Sequence, residues 1–157
     1  MLSNIHDYFT FEVIYLWATL GVIPFWLILI FLPNTKATQI LVNSIIAPLI
    51  LAIAYGFVIY QTNLMEYSFL EIFQLYLGLD SLYTLFSYES ILLVFWLHFL
   101  SINLFIGSWV SQDSVKYGIP RSVITTLLVL IYFTGPMGLV LYWMIRIFYS
   151  KKINFHD

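Results

Sequence analysis

HFLSINLFIGSWVSQD, residues 98–113, decides how the chain must be read. Leu, Ile, Phe and Trp dominate it, as in a helix that crosses a bilayer. It also holds an imidazole, an amide, serines, a glycine and, at its end, Gln112 and Asp113. An ionisable group inside an apolar span marks a candidate functional site. At roughly 100° per residue, Ser101, Phe105, Trp109 and Gln112 share the face of His98, and Asp113 lies about 60° round, roughly four turns along. Asn103 and Gly107 fall on another face, about 140° from His98. A helix polar on one side and notched by a small residue on another is expected inside a bundle, with His98 facing the interior.

Composition supports the membrane reading. The chain has 157 residues, 62% hydrophobic and 9% charged. A soluble domain is about half apolar and about a quarter charged. Too little polar surface is left to cover a water-exposed globule. There is no cysteine, so disulfides and thiolate metal sites are excluded. The six basic residues are scattered and the net charge is −2. That distribution argues against a nucleic-acid partner and leaves the lipid bilayer as the expected one. The segment MLSNIHDYFTFE contains no Lys or Arg, which is unlike a secretory signal, so the first hydrophobic segment is expected to stay in the mature protein.

Since about 20 apolar residues cross the hydrocarbon core, four spans are expected, at about 11–32, 40–60, 90–110 and 123–148. They are helices, because backbone polar groups in lipid must be satisfied internally. Residues 66–87 carry acids among apolar residues, with Glu71, Gln74, Gly78 and Ser81 forming a polar stripe. One or two interfacial or re-entrant helices are expected there, with Gly78 as a stop and Asp80 as a cap. The expected fold is therefore an all-α membrane protein: a bundle of four transmembrane helices, one integral domain over 1–157. Lys36, Lys116 and Arg121 on one side balance Arg146, Lys151 and Lys152 on the other, so the positive-inside rule leaves orientation open.

In the last span, TGPMG at 134–138 predicts a kink at Pro136, with Gly135 and Gly138 giving room for a neighbour or ligand. Pro24 and Pro48 are expected to interrupt the first two spans similarly, and three bent helices suggest a cavity. Arg146 is either a snorkelling interfacial anchor or an inward partner for a carboxylate such as Asp113. His98 has three readings: a packed, hydrogen-bonded side chain, a proton-transfer or ligand-contact group, or an axial ligand to a porphyrin or chlorin. Aromatic residues are 20% of the chain. Some form interfacial belts, and others, Phe105 among them, are suited to wall a long apolar ligand. No phosphate-cradling glycine loop, HExxH, GxSxG or paired-histidine metal spacing occurs, so no metal site is predicted and the residues require no cofactor. A small transporter would show an inverted repeat or charge pathway, and neither is visible.

The run from Trp96 to Arg146 resembles the neoxanthin-synthase-like, or abscisic-acid-deficient-four-like, family of small multi-pass proteins of plastids and bacteria. His98, Leu104-Phe105, Gly107, Trp109, Asp113, Gly118-Ile119 and Gly135-Pro136-x-Gly138 carry the likeness. Plant members are implicated in converting violaxanthin to neoxanthin, an epoxide-to-allene isomerisation. The resemblance implies a carotenoid- or isoprenoid-handling protein of a bacterial plasma membrane or a thylakoid-type membrane, with a polyene ligand. Two positions depart from the family pattern: Asn103 stands in place of an acid and Ser108 in place of an Arg common in bacterial members.

Opening an epoxide next to a polyene needs an acid at the oxygen, a base at the carbon end and a dry pocket. His98 titrates near neutrality and is the expected proton handler. Asp113 is the second catalytic candidate and Tyr142 a hydrogen-bond donor. Asn103, Phe105, Gly107, Trp109, Gly135, Pro136, Gly138 and Arg146 are the expected ligand contacts. The alternative function is a non-catalytic pigment-binding or assembly subunit of a larger membrane complex, which the lost charges at Asn103 and Ser108 favour.

Overall fold

A computed structural model describes residues 9–44, 46–65 and 78–150. These residues form seven helices and no strand: α1 (Phe11–Phe31), α2 (Lys36–Leu41), α3 (Ile46–Met65), α4 (Leu79–Phe86), α5 (Glu89–Lys116), α6 (Arg121–Thr134) and α7 (Pro136–Ser150). Two of them, α1 and α5, are long and apolar enough to cross a membrane. Four continuous spans are therefore not shown among the described residues.

The differences have local causes. Pro24 lies inside α1 and the helix runs through it, losing one rung of hydrogen bonding. Pro48 falls in the first turn of α3, where an N–H has no intrahelical partner in any case. The expected 40–60 span is divided by the gap between α2 and α3. Thr35 caps α2, its hydroxyl accepting from Thr38 N at 3.3 Å. Gly78 takes the N-cap of α4. Asp80, expected as the cap, sits in the first turn, where a carboxylate favours the helix N-terminus. Glu71 and Gln74 lie outside the described residues.

Contacts divide the chain into two compact units. The first draws on the chain up to Gly21 and on 49–99. Its centre is Ile14 of α1, Val58 of α3, and Leu93 and Leu97 of α5, flanked by Phe11, Ala18 and Ala54. Trp96 Nε1 donates to Thr19 Oγ1 at 2.9 Å, tying α5 to α1 across this core.

The second unit draws on 22–48 and on the chain from Leu100 onward. Here α1 meets α5 at Gly107. A Cβ at that glycine would lie 2.7 Å from Trp26 Cη2, so only a bare backbone admits the indole. The segment expected as one kinked span, 123–148, is instead a helical hairpin. Leu128 of α6 lines the same cavity as Ser111 of α5, Gly135 lies against Asn103, Tyr142 of α7 against Trp109, and Arg146 reaches Tyr117. Thus α6 runs against α5 and α7 runs back along it. The reversal needs Gly135, whose φ of 54° with ψ of −94° is closed to ordinary side chains. Pro136 then opens α7 at the first helical position, where its fixed φ suits a helix start. Gly138 lets the two arms close: a Cβ there would lie 2.9 Å from Ile131 Cα.

Candidate functional site

On α5 the buried face carries Leu100, Asn103, Leu104, Gly107, Ser108, Ser111 and Ser114. This is the Asn103–Gly107 face, not the His98 face. His98 is exposed, with its ring 6.2 Å from that of Tyr55. Phe105 is 65% exposed and Gln112 is exposed too. The inward placing of His98 is therefore overturned, and Phe105 does not wall an internal chamber. The physical reason is that lipid accepts Phe and Leu as readily as a protein interior does. Small and polar residues consequently select the packed face.

The groups that do converge stand near the C-terminal end of α5 and on α7. Tyr142 and Arg146, one helical turn apart, point from the same side of α7. Tyr142 is fully buried and Arg146 is 1% exposed. Tyr142 OH donates to Asp113 Oδ2 at 2.6 Å, and Arg146 Nε donates to the same oxygen at 2.7 Å. Arg146 Nη2 donates to Tyr117 OH at 2.9 Å, and its guanidinium carbon lies 4.6 Å from the centre of the Tyr117 ring. Trp109 packs edge-on to Tyr142 with ring centres 5.6 Å apart. Arg146 is thus the inward partner of a carboxylate, not a free snorkelling anchor.

Chemically, Arg146 compensates the charge of Asp113 and fixes its orientation, since a guanidinium stays protonated. Tyr142 supplies the other donor to that carboxylate, a short charge-assisted hydrogen bond. The Asp113 side chain keeps 12% exposure, so the cluster is not sealed. Tyr117 was not foreseen. Its place four residues after Asp113, on the same helical stripe, was the available signal.

The hairpin tip is closed. At Gly135 a Cβ would meet the carboxamide of Asn103, with Cγ at 3.2 Å, and Gly138 is occupied by Ile131. Asn103 is 3% exposed and its Nδ2 has no hydrogen-bond partner. The space beside Gly135 and Gly138 is thus filled by Asn103 and Ile131, while Pro136 is exposed. Ser108 Oγ donates to Asn43 Oδ1 at 2.9 Å, a long-range pair that no spacing in the sequence announces. Among the described residues no three His, Asp or Glu side chains gather as a metal site.

The model of the family described as ABA DEFICIENT 4-like matches residues 13–142, a stretch that contains Asp113, Tyr117 and Tyr142 and stops short of Arg146. Neither the curated proteins nor the solved structures return a match.

Proposed function

The chain belongs to the ABA DEFICIENT 4-like family, which links it coarsely to carotenoid and xanthophyll chemistry, and on that premise we propose that it is a membrane-embedded protein acting on an oxygenated polyene. The observation that carries this reading is the convergence of Tyr142 OH and Arg146 Nε on one oxygen of Asp113. In an isomerisation of an epoxy-carotenoid, the Asp113 carboxylate takes a proton from the polyene carbon. The electron pair released forms the new double bond, the C–O bond of the epoxide breaks, and Tyr142 delivers its proton to that oxygen. Proton return from Asp113 to the Tyr142 phenolate restores both groups, so no oxidant or reductant is needed. Arg146 and Tyr117 hold the carboxylate in place. His98 has no part in this scheme.

The whole chain acts as one membrane domain, with α1, α3 and α5 as crossing helices in a bacterial plasma membrane or thylakoid-type membrane. With 14 and 15 residues, α6 and α7 reach roughly 21–23 Å each, short of the ~30 Å core, and serve as a re-entrant hairpin. A reversal at membrane depth is tolerated because protein covers it, as Asn103 covers Gly135.

Expression in a host that accumulates violaxanthin, followed by pigment separation, tests the activity. A new isomer is expected with the native chain and its loss with Asp113→Asn. An unchanged pigment profile together with no co-purifying polyene absorbance sinks the reading. One observation favours a second reading, a non-catalytic pigment-binding or assembly subunit. Asn103 and Ser108 stand where the family pattern carries charge, and both are engaged in packing or neutral hydrogen bonding. Purification in gentle detergent separates the two, because a subunit brings partner proteins in fixed ratio.

A further inference from the structure

A cavity of about 160 Å³ lies in the second unit, between the C-terminal end of α1, the last turns of α5 and the first turns of α6. That is well below the roughly 300 Å³ at which drug-sized ligand pockets begin, so a polyene does not fit and a compact group does. Its apolar wall includes Leu29, Ile30 and Leu128, and its polar lining includes Ser111, Ser114, Thr125 and Arg121. No acidic side chain lines it.

The polar lining is rich in hydrogen-bond donors. Arg121 Nη2 donates to Ile30 O at 3.4 Å and to Phe31 O, which satisfies carbonyls left over at the end of α1. Its Nε and Nη1 have no hydrogen-bond partner among the described residues. Ser114 Oγ donates to Ser111 O at 2.8 Å, which is local satisfaction within α5. The hydroxyls of Ser111 and Thr125 have no such partner among the described residues, although Ser111 is only 3% exposed. These two hydroxyls share the cavity lining with the Arg121 guanidinium, and together they offer donors to an acceptor of negative charge.

From this lining we infer that the cavity binds a phosphate group. A phosphate offers several acceptor oxygens and the charge that a guanidinium fork and hydroxyls recognise together. The apolar wall beside the donors suits a phosphate that continues into acyl chains, as in a lipid headgroup, and a free phosphate would use the same donors. This site is independent of the proton-handling cluster and stands whether or not that cluster turns over a polyene.

The test uses the full chain in dodecyl maltoside, which contains no phosphate, with thermal unfolding followed by tryptophan fluorescence. Phosphatidylglycerol, a diacylglycerol with the same acyl chains, and inorganic phosphate at matched ionic strength are added separately. Phosphatidylglycerol is expected to raise the midpoint by on the order of 5 °C at a hundredfold excess over Kd, and diacylglycerol is not. If inorganic phosphate gives the same rise, free phosphate suffices; if only the phospholipid does, the headgroup is the ligand. Ser111→Val and Thr125→Val are expected to remove most of the rise while leaving the unliganded midpoint unchanged or higher. Arg121→Gln is expected to remove it as well. Equal shifts for phosphatidylglycerol and diacylglycerol, a shift undiminished in all three variants, or no shift at all overturns the inference.

Discussion

The two ends of α5 keep different company. As far as Phe99, it presses Leu93 and Leu97 against Ile14 and Val58, and a hydrogen bond from Trp96 to Thr19 ties it to α1. Beyond Leu100, its buried face carries Asn103, Ser108, Ser111 and Ser114, and Asp113 receives both Tyr142 and Arg146. Both ends are rich in Leu, Ile and Phe. What separates them is the partner supplied from elsewhere: a guanidinium and a phenol for Asp113, the ring of Tyr55 for an exposed His98. In an apolar solvent a Leu gains little by leaving lipid for protein, whereas an unpaired polar group loses much. The polar end is therefore the one where a single substitution is most consequential.

The sharpest way to break that contrast is Arg146→Met. It leaves the Asp113 carboxylate with its counter-charge gone, a change expected to cost about 3–5 kcal/mol. Thermal unfolding in detergent measures it, and adding Asp113→Asn to the same chain should recover most of the loss. If the single variant unfolds like the native chain, the ion pair does not hold the second unit together. Next comes Gly135→Ala, expected to cost about 3 kcal/mol, because the new methyl meets both a forbidden φ and the Asn103 carboxamide. Gly107→Ala sharpens this further at about 1–2 kcal/mol, since its methyl meets the outer edge of the Trp26 ring without any strain in the backbone. Equal effects at the two glycines would show that crowding, and not the backbone reversal, is what Gly135 relieves.

Much of this was readable before any contact was known. The first apolar run, about 11–32, places the end of the helix to within a residue of where α1 stops. The long apolar run around His98 does form a helix, and of the two readings of Arg146 the carboxylate partner is the one that forms, on Asp113. Three things were not readable. Periodicity puts the inward face of α5 on the wrong side, because nearly every position is apolar and gives no contrast; Gly107 is the better guide. The Gly-Pro pair reads as a bend, since proline in a helix accounts for a kink without further help. The left-handed φ of Gly135 and the approach of Gly138 to Ile131 show that the chain turns back. Pairs such as Asn43 with Ser108 depend on which helices become neighbours, and no local spacing encodes that.

The smallest expected effects on stability discriminate most finely between the two ends of α5. Tyr142→Phe removes one hydroxyl and leaves Arg146 on Asp113, so the loss should be about 1.5 kcal/mol, the low end for a hydrogen bond to a charged group. Conversion of an epoxy-carotenoid should fall far more, by roughly 10²–10⁴, because the variant lacks the group that delivers the proton. His98→Gln should change stability by less than about 0.5 kcal/mol, as befits an exposed position, and should leave conversion unaltered. The pair of variants is decisive only when compared. Loss of conversion in both would mean that proton handling involves the exposed end of α5 as well. Loss with His98→Gln alone would move the chemistry from the carboxylate cluster to the imidazole and leave Asp113, Tyr142 and Arg146 as a structural clasp.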